Sequence, residues 1–263
     1  EDKDWINNWK QYFKPFTVDD ILIKPTWETI PEEHKDKLLI QIDPGTAFGT
    51  GMHETTQLCI RQLKKYVKPG DFITTNGLFG NLDNHRMTEE SLDFITYDSY
   101  PNFAYCLDSY ESEKDGLRDR KWSRNLAEAR AVSPVFGIME QQSGANGWNT
   151  RMEAPTPKPG QMTLWTMQSI GHGADYVSYF RWRTCTMGTE IYWHGILDYS
   201  GRDNRRLAEV KQIHKMVGAL EPVTGSHYRA EVGIVKDYDN LWDAGLDMWH
   251  QRVDRESSKS LFA

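Results

Sequence analysis

The chain has 263 residues and a formal net charge of −7 at pH 7, and 26% of its residues are charged. This length accommodates one large or two small domains, and the composition is that of a soluble, folded chain rather than a disordered one. The negative net charge disfavours a nucleic-acid partner. The apolar runs are too short to span a membrane. The three scattered cysteines predict a reducing, cytoplasmic location and no metal site.

The first 71 residues alternate between helical and strand patterns. Residues 4–16 have a helical pattern, and residues 19–27 and 37–45 predict two strands, the second ending at a Pro-Gly pair. A Gly/Thr-rich loop over 47–56 leads into a predicted helix over 55–67. One face of that helix is apolar and carries Leu58, Leu63, Tyr66 and Val67.

From residue 72 onward, predicted strands alternate with predicted helices, which favours parallel βαβ units. The strands are 72–76, 92–101, 135–140 and 175–182, and the helices are 119–132, 160–173 and 203–220. A further strand followed by a helix start is predicted over 230–243. Because functional groups of such folds lie at the carboxyl ends of the strands, one rim should carry Asn76, Asp98, Glu140 and Trp182.

Glu140 is the candidate catalytic residue, because it follows the apolar run "SPVFGIM" at the end of a predicted buried strand. From this position alone, an ordinary exposed glutamate is an equally good interpretation. Asp98 is expected to shape the end of its own strand. Arg181 and Arg183 are candidates for the positive field that keeps a nucleophilic carboxylate ionised.

The segment "IDPGTAFGTGMHETTQLCI" (42–60), with "WKQYFKPF" and "IKPTWE" upstream, resembles the ribosomal-protein-L-eleven methyltransferase family. The resemblance implies that one set of residues borders an S-adenosylmethionine pocket. A capped helix start is the alternative role for the histidine and threonines of that set. The family continues with a Gly-rich cofactor loop, whereas here "VKPGD" is followed by "FITTNGLFGN". The implied cofactor-binding residues are Phe48, Gly49, Thr50, Gly51, His53, Thr55 and Thr56.

From Phe72 to the end, the chain resembles the β-galactosidases of glycoside hydrolase family forty-two. This resemblance implies retaining hydrolysis of terminal β-galactosides without a cofactor, with Glu140 as the nucleophile at the end of the seventh barrel strand. It also implies substrate-binding roles for Trp148, Glu190 and His194, and Trp182 on the same rim joins them. The Glu190–His194 spacing is one residue longer than in familiar members. The motifs, in family order, are "FITTN", "FITYDSYP", "FGIMEQQSGANGWN", "YFRWRTCTMGTEIYWHGILD" and "EVGIVKDYDNLWD".

The predicted fold is therefore α/β, with three parts. Residues 1–71 form a small methyltransferase-like segment, 72–222 form strands five to eight of a (β/α)8 TIM barrel, and 223–263 begin a Rossmann-like trimerisation domain. The family's acid/base glutamate follows an asparagine on strand four, and this chain contains no Asn-Glu pair. We therefore expect weak or no activity, and a possible homo-oligomer through the open barrel edges.

Two other functions stay open at this stage, namely an S-adenosylmethionine-dependent methyltransferase fragment and a non-catalytic fused chain. The junction near Asp71-Phe72 is consistent with a gene fusion, a deliberate fusion or an artefact of sequence assembly. The sequence alone does not distinguish these three origins.

Overall fold

The computed structural model describes residues 9–43, 52–77, 82–102, 120–147, 154–226 and 229–239. The chain divides into two compact units, residues 1–71 and residues 72–263. The division falls where the sequence pattern changes, and each unit has its own sheet.

The sheet of the first unit has three short strands in the order β1-β2-β3. Strand β1 (Phe16–Val18) pairs antiparallel with β2 (Ile21–Lys24), and β3 (Leu38–Gln41) pairs parallel with β2. Both strands predicted from the sequence are confirmed in shortened form. Strand β1 was not predicted, because three residues are too few to produce a visible alternation.

Helix α1 (Glu54–Tyr66) confirms the helix predicted next to the Gly/Thr loop. Its Ile60 packs against a small core built on Val18, Ile21 and Ile23. The predicted apolar face is largely exposed instead, with Leu58 and Leu63 each more than half accessible. Upstream, residues Trp9–Tyr12 form a 3-10 turn rather than the predicted helix, and a second 3-10 turn spans Glu32–His34.

The second unit contains a fully parallel sheet in the order β4-β5-β6. Its strands are β4 (Ile95–Ser99), β5 (Phe136–Gln142) and β6 (Tyr176–Phe180). Parallel neighbours require crossover connections, and helices supply them here. The three predicted helices are confirmed as α3 (Arg120–Val132), α4 (Gln161–Gly171) and α5 (Arg205–Gly218), and α2 (Asn84–Ser91) is an additional one.

The core of this unit lies between the sheet and α3. Alternate residues of β4 and β5 face that helix, which contributes Leu126. Side chains of a strand point to opposite faces in turn, so the residues between them face the other side of the sheet. The cluster comprises Ile95, Tyr97, Trp122, Leu126, Ala129, Phe136, Ile138 and Ala174.

The predicted strand 72–76 is wrong as a regular strand, although the segment runs beside β4. Only Asn76 forms a β-bridge, to Thr96, and the Asp93 amide donates to the Ile73 carbonyl at 2.8 Å. The Ile73 amide itself donates to the Asp93 carboxylate at 2.6 Å. A side chain thus takes the place of a backbone acceptor, which interrupts the ladder.

The strand predicted at the start of 230–243 is also absent from the described residues 229–239. Val232 and Val235 are exposed there. An alternating apolar pattern forms a strand only when a neighbour accepts its backbone hydrogen bonds. The predicted helix start is present at Tyr238 and Asp239, and residues 240–263 lie outside the described part of the chain. No helix among the described residues has the length and apolarity needed to cross a bilayer.

Candidate functional site

The candidate site lies where the carboxyl ends of β4 and β5 meet. Tyr97 pairs with Ile138, but the next pair is Asp98 with Glu140, so Met139 is an extra residue in β5. Strict alternation would place Glu140 on the same face as Ile138, which packs into the core beside α3. The bulge at Met139 instead brings Glu140 level with Asp98.

Glu140 is held by a hydrogen bond from Tyr100. The Tyr100 hydroxyl donates to Glu140 Oε2 at 2.5 Å, a length typical of a hydroxyl bonded to a carboxylate. Burial raises the pKa of Tyr100, and its bond to Glu140 and the charges of Glu140 and Asp98 raise it further. Tyr100 therefore remains a proton donor to Glu140 across the physiological pH range.

A row of aromatic rings, Trp193 and then Phe180, packs against Tyr100. Trp193, which is buried, meets the Tyr100 ring edge to face at 5.0 Å between centroids. Phe180, the last residue of β6, meets Trp193 in the same manner at 6.2 Å. Such perpendicular pairs are favourable beyond the area they bury. The row fixes the position of the Tyr100 hydroxyl and hence of the Glu140 carboxylate.

Asp98 is the second carboxyl group at this end of the sheet. Its Oδ2 accepts a hydrogen bond from the Asn76 side-chain amide. Burial raises the pKa of Asp98 to about 6, the Asn76 hydrogen bond opposes this shift, and the charge of Glu140 adds to it. Asp98 is therefore a carboxyl group that changes charge just below neutral pH.

Arg181 pairs with Glu190 rather than with Glu140. The guanidinium lies 4.4 Å from the centroid of the Phe180 ring and also donates to the Cys185 sulfur. Arg181 therefore has another carboxylate partner, and its support of the Glu140 carboxylate stays a prediction. Strand β6 ends at Phe180, so neither arginine is in the strand, and Arg183 forms its bridge with Leu197.

His194 lies in a loop that packs tightly on the chain after β5. Its amide donates to the Ala145 carbonyl at 2.8 Å, and its ring contacts Tyr199 at 5.1 Å between centroids. Burial lowers the pKa of His194, the charge of Arg206 lowers it further, and Asp198 opposes the shift. The imidazole is therefore neutral at pH 7 and can both donate and accept one hydrogen bond.

Gly144 allows this close approach, because a Cβ there would lie 2.4 Å from the His194 carbonyl oxygen. We expect Gly144→Ala to lower the free energy of unfolding by about 1–3 kcal/mol, because one of the two backbones must move. Thermal unfolding followed by circular dichroism measures the change. The matched control is Gly218→Ala at the end of α5, where an added Cβ meets nothing within 4 Å. Equal effects of the two changes would contradict this explanation.

The other predicted substrate-binding residues are two tryptophans, Trp182 and Trp148. Trp182 is 60% exposed, and its carbonyl accepts from the Leu197 amide at 2.9 Å. Trp148 lies outside the described residues. Arg181, which pairs with Glu190, packs on Phe180, and Phe180 is one end of the aromatic row that begins at Tyr100.

The methyltransferase-like residues are only partly described. Phe48, Gly49, Thr50 and Gly51 lie outside the described residues. His53 is the N-cap of α1, where its Nδ1 accepts from the Thr55 amide at 3.2 Å and lies 2.7 Å from the Thr55 hydroxyl. Thr56 is exposed in the first turn of the helix. This geometry is that of the capped helix start, the alternative noted from the sequence.

A cavity of the first unit lies beside this helix start but is not lined by His53, Thr55 or Thr56. Its lining combines apolar side chains with the stems of two lysines. The residues are Phe13, Lys14, Phe16, Ile23, Lys24, Pro25, Ile42 and Met52.

Sequence reasoning missed Tyr100 and Trp193 as parts of the site. The position of Tyr100 was available, because it follows Asp98 by two residues and so shares its side of the chain. Trp193 directly precedes His194, but nothing local indicates that its ring reaches Tyr100. That contact depends on the tertiary packing of the loop.

Two family profiles match this chain. The profile described as beta-galactosidase, of glycoside hydrolase family forty-two, matches residues 48–220. The profile of the ribosomal protein L11 methyltransferase family matches residues 1–77. The two matches overlap between residues 48 and 77.

Characterised relatives reflect the same division. The beta-galactosidase BgaA of Clostridium cellulovorans is 38% identical over 174 residues, which is 65% of this chain and 25% of the relative. The beta-galactosidase Bga of Halorubrum lacusprofundi is 31% identical over 242 residues, 89% of this chain and 33% of the relative. The ribosomal protein L11 methyltransferase of Lachnoclostridium phytofermentans is 69% identical over 71 residues, 27% of this chain and 21% of the relative.

Solved structures agree with the larger match. The beta-galactosidase from Halorubrum lacusprofundi superposes with a TM-score of 0.60 and 31% identity, covering 72% of this chain and 28% of that one. The enzyme from Marinomonas ef1 gives 0.59 and 27% identity, covering 76% and 32%. The chain thus spans between 25% and 33% of the length of these beta-galactosidases, and about a fifth of the methyltransferase.

Proposed function

Because this chain belongs to the beta-galactosidase family of glycoside hydrolases, we propose that its second unit carries the nucleophile half of a retaining β-galactosidase site. Glu140 is the nucleophile, Tyr100 donates a hydrogen bond to it, and Glu190 and His194 bind sugar hydroxyls together with Trp148 and Trp182. The observation that carries the proposal is the 2.5 Å bond from Tyr100 to Glu140 at the carboxyl end of β5.

The chemistry of a retaining glycosidase explains why this geometry matters. One carboxylate attacks the anomeric carbon while a second carboxyl group, about 5–5.5 Å away, protonates the leaving oxygen. The chain contains no Asn-Glu pair of the kind that supplies this acid in the family. We therefore propose that the chain forms the covalent intermediate but hardly protonates the leaving group.

A test that needs no acid uses a galactosyl fluoride with a second fluorine in place of the neighbouring hydroxyl. Fluoride leaves without protonation, and the second fluorine slows hydrolysis of the intermediate. We expect the chain to gain the mass of one fluorogalactosyl group, located on Glu140 by peptide mapping. The matched glucosyl fluoride should react more slowly, because a β-galactosidase site distinguishes the orientation of one hydroxyl group. A chain that gains no mass contradicts the proposal.

The methyltransferase match of residues 1–77 supports a second candidate function for the first unit, S-adenosylmethionine binding. We expect no such binding, because His53 and Thr55 cap α1 and the family's Gly-rich loop is replaced in sequence. Isothermal titration calorimetry of the full chain with millimolar S-adenosylmethionine should show no heat of binding. A saturable signal that His53→Ala removes would instead support the methyltransferase function.

A further inference from the structure

Asp98 and Glu140 form a pair of carboxyl groups on adjacent strands, and the chemistry proposed above uses only Glu140. They are register partners at the ends of β4 and β5, and neighbouring strands lie about 4.8 Å apart. The charge of Glu140 acts on Asp98 and raises its pKa, because neighbouring carboxylates repel each other and the pair favours binding one proton.

The surroundings decide which of the two carries that proton. Glu140 Oε2 accepts a hydrogen bond from the Tyr100 hydroxyl. Asp98 Oδ2 accepts from Asn76, while its Oδ1 is buried and has no hydrogen-bond partner among the described residues. An ionised Asp98 would leave a charged oxygen without a donor, so the proton belongs on Asp98.

Few other charges act on Asp98 from the elements around it. Strand β5 contributes Glu140, the segment before α2 contributes the neutral Asn76, β4 contributes Tyr97, and Tyr100 directly follows β4. Burial raises the pKa of both tyrosines, so they stay neutral. Helix α3 contributes Arg124, whose charge acts on Tyr97. Among the described residues, Glu140 is therefore the charged partner of Asp98.

We propose that Asp98 is a positioning residue whose negative charge, when present, promotes the attack of Glu140 on the anomeric carbon. This inference rests on the proposed function of Glu140. In the step, a Glu140 oxygen bonds to the anomeric carbon, the bond to the leaving group breaks, and the leaving group departs with the electron pair. Glu140 becomes a neutral ester, which removes the repulsion from an ionised Asp98. A protonated Asp98 carries no charge, so there is no repulsion for formation of the ester to remove.

The pH profile of labelling by the fluorinated galactosyl fluoride tests this role. We expect the labelling rate of the full chain to rise between pH 5 and pH 7.5 as Asp98 ionises, by about tenfold for each pKa unit of coupling between the two carboxyl groups. The rise should be centred near pH 6, where Asp98 ionises. Asp98→Asn keeps the shape of the side chain without the charge, so its rate should stay low and flat.

The matched control is Asp203→Asn, because Asp203 is an exposed carboxylate whose ion pair with Lys211 lies on the surface, and this change should leave the rise unchanged. A wild-type profile without a rise, or a rise that persists in Asp98→Asn, overturns the proposal. A merely structural role of Asp98 would lower the rate at every pH equally.

A second measurement separates this inference from the proposed function. The carboxyl carbon of Asp98 is followed by nuclear magnetic resonance during a pH titration of the wild-type chain and of Glu140→Gln. We expect the midpoint of Asp98 to fall in Glu140→Gln, because the neighbouring charge is gone. An unchanged midpoint overturns the coupling even if labelling succeeds. A chain that is never labelled, but in which the midpoint falls, refutes the glycosidase function alone.

Discussion

Glu140→Gln is expected to abolish covalent labelling by the fluorinated galactosyl fluoride. The glutamine amide has the size of the carboxylate and can still accept the Tyr100 hydrogen bond. It lacks the negative charge that attacks the anomeric carbon, and loss of a covalent nucleophile lowers rates by at least about 10³-fold. Intact-mass spectrometry over time gives the labelling rates of both chains under identical conditions.

The matched control is Glu90→Gln, which makes the same chemical change on α2. Glu90 is exposed and pairs with Arg86 on the surface of the same helix. Because surface ion pairs contribute little to stability, this variant should label at the wild-type rate. Labelling of Glu140→Gln at a comparable rate would show that another carboxylate is the nucleophile, and peptide mapping would then identify it.

The regular elements of the second unit could be predicted because their information is local. The helix that became α3 shows apolar residues at helical spacing, including Leu126, and β5 begins with an apolar run. The end of β5 was predicted two residues early. Gln141 and Gln142 are fully buried because their amides bond to Ser99, Gly144 and the chain after β4. Two of these partners, Ser99 and Asn102, are distant in sequence.

Helix α2 was missed although its start is encoded locally. The Asp83 side chain accepts from the Arg86 amide, which is an ordinary N-cap. The helix is short and mostly polar, so its apolar periodicity is weak, and it buries only Asn84 and Thr88. Where the apolar periodicity is weak, an N-cap residue is the better indicator that a helix begins.

The site shows the same division between local and tertiary information. The position of Glu140 at the end of a strand followed from the apolar run before it. Its pairing with Asp98 depends on the bulge at Met139, and its contact with Tyr100 depends on how two strands align. A sequence pattern specifies where a strand ends more reliably than the register of its neighbour.

The leaving group should control the rate of hydrolysis far more strongly than in a complete two-carboxylate site. A dinitrophenyl β-galactoside departs without protonation and should react with Glu140, whereas lactose should react about 10²–10⁴-fold more slowly, the usual contribution of general-acid catalysis. Release of dinitrophenolate is measured by absorbance, and release of glucose from lactose by a coupled assay. Similar rates for the two substrates would show that this chain supplies an acid of its own.

Azide should accelerate the turnover of the dinitrophenyl galactoside. Hydrolysis of the galactosyl-Glu140 ester requires a base to activate water, and the same missing carboxyl group performs both tasks in a retaining enzyme. Azide is already an anion, so it attacks the anomeric carbon directly, breaks the bond to Glu140 and restores the carboxylate. The product is then β-galactosyl azide, identified by nuclear magnetic resonance.

Glu140→Gln forms no ester, so azide should not accelerate its turnover. A rate increase in that variant would indicate direct attack of azide on the substrate. Acceleration in the wild type alone, with retained configuration, would locate the defect in the acid/base group and leave the nucleophile intact.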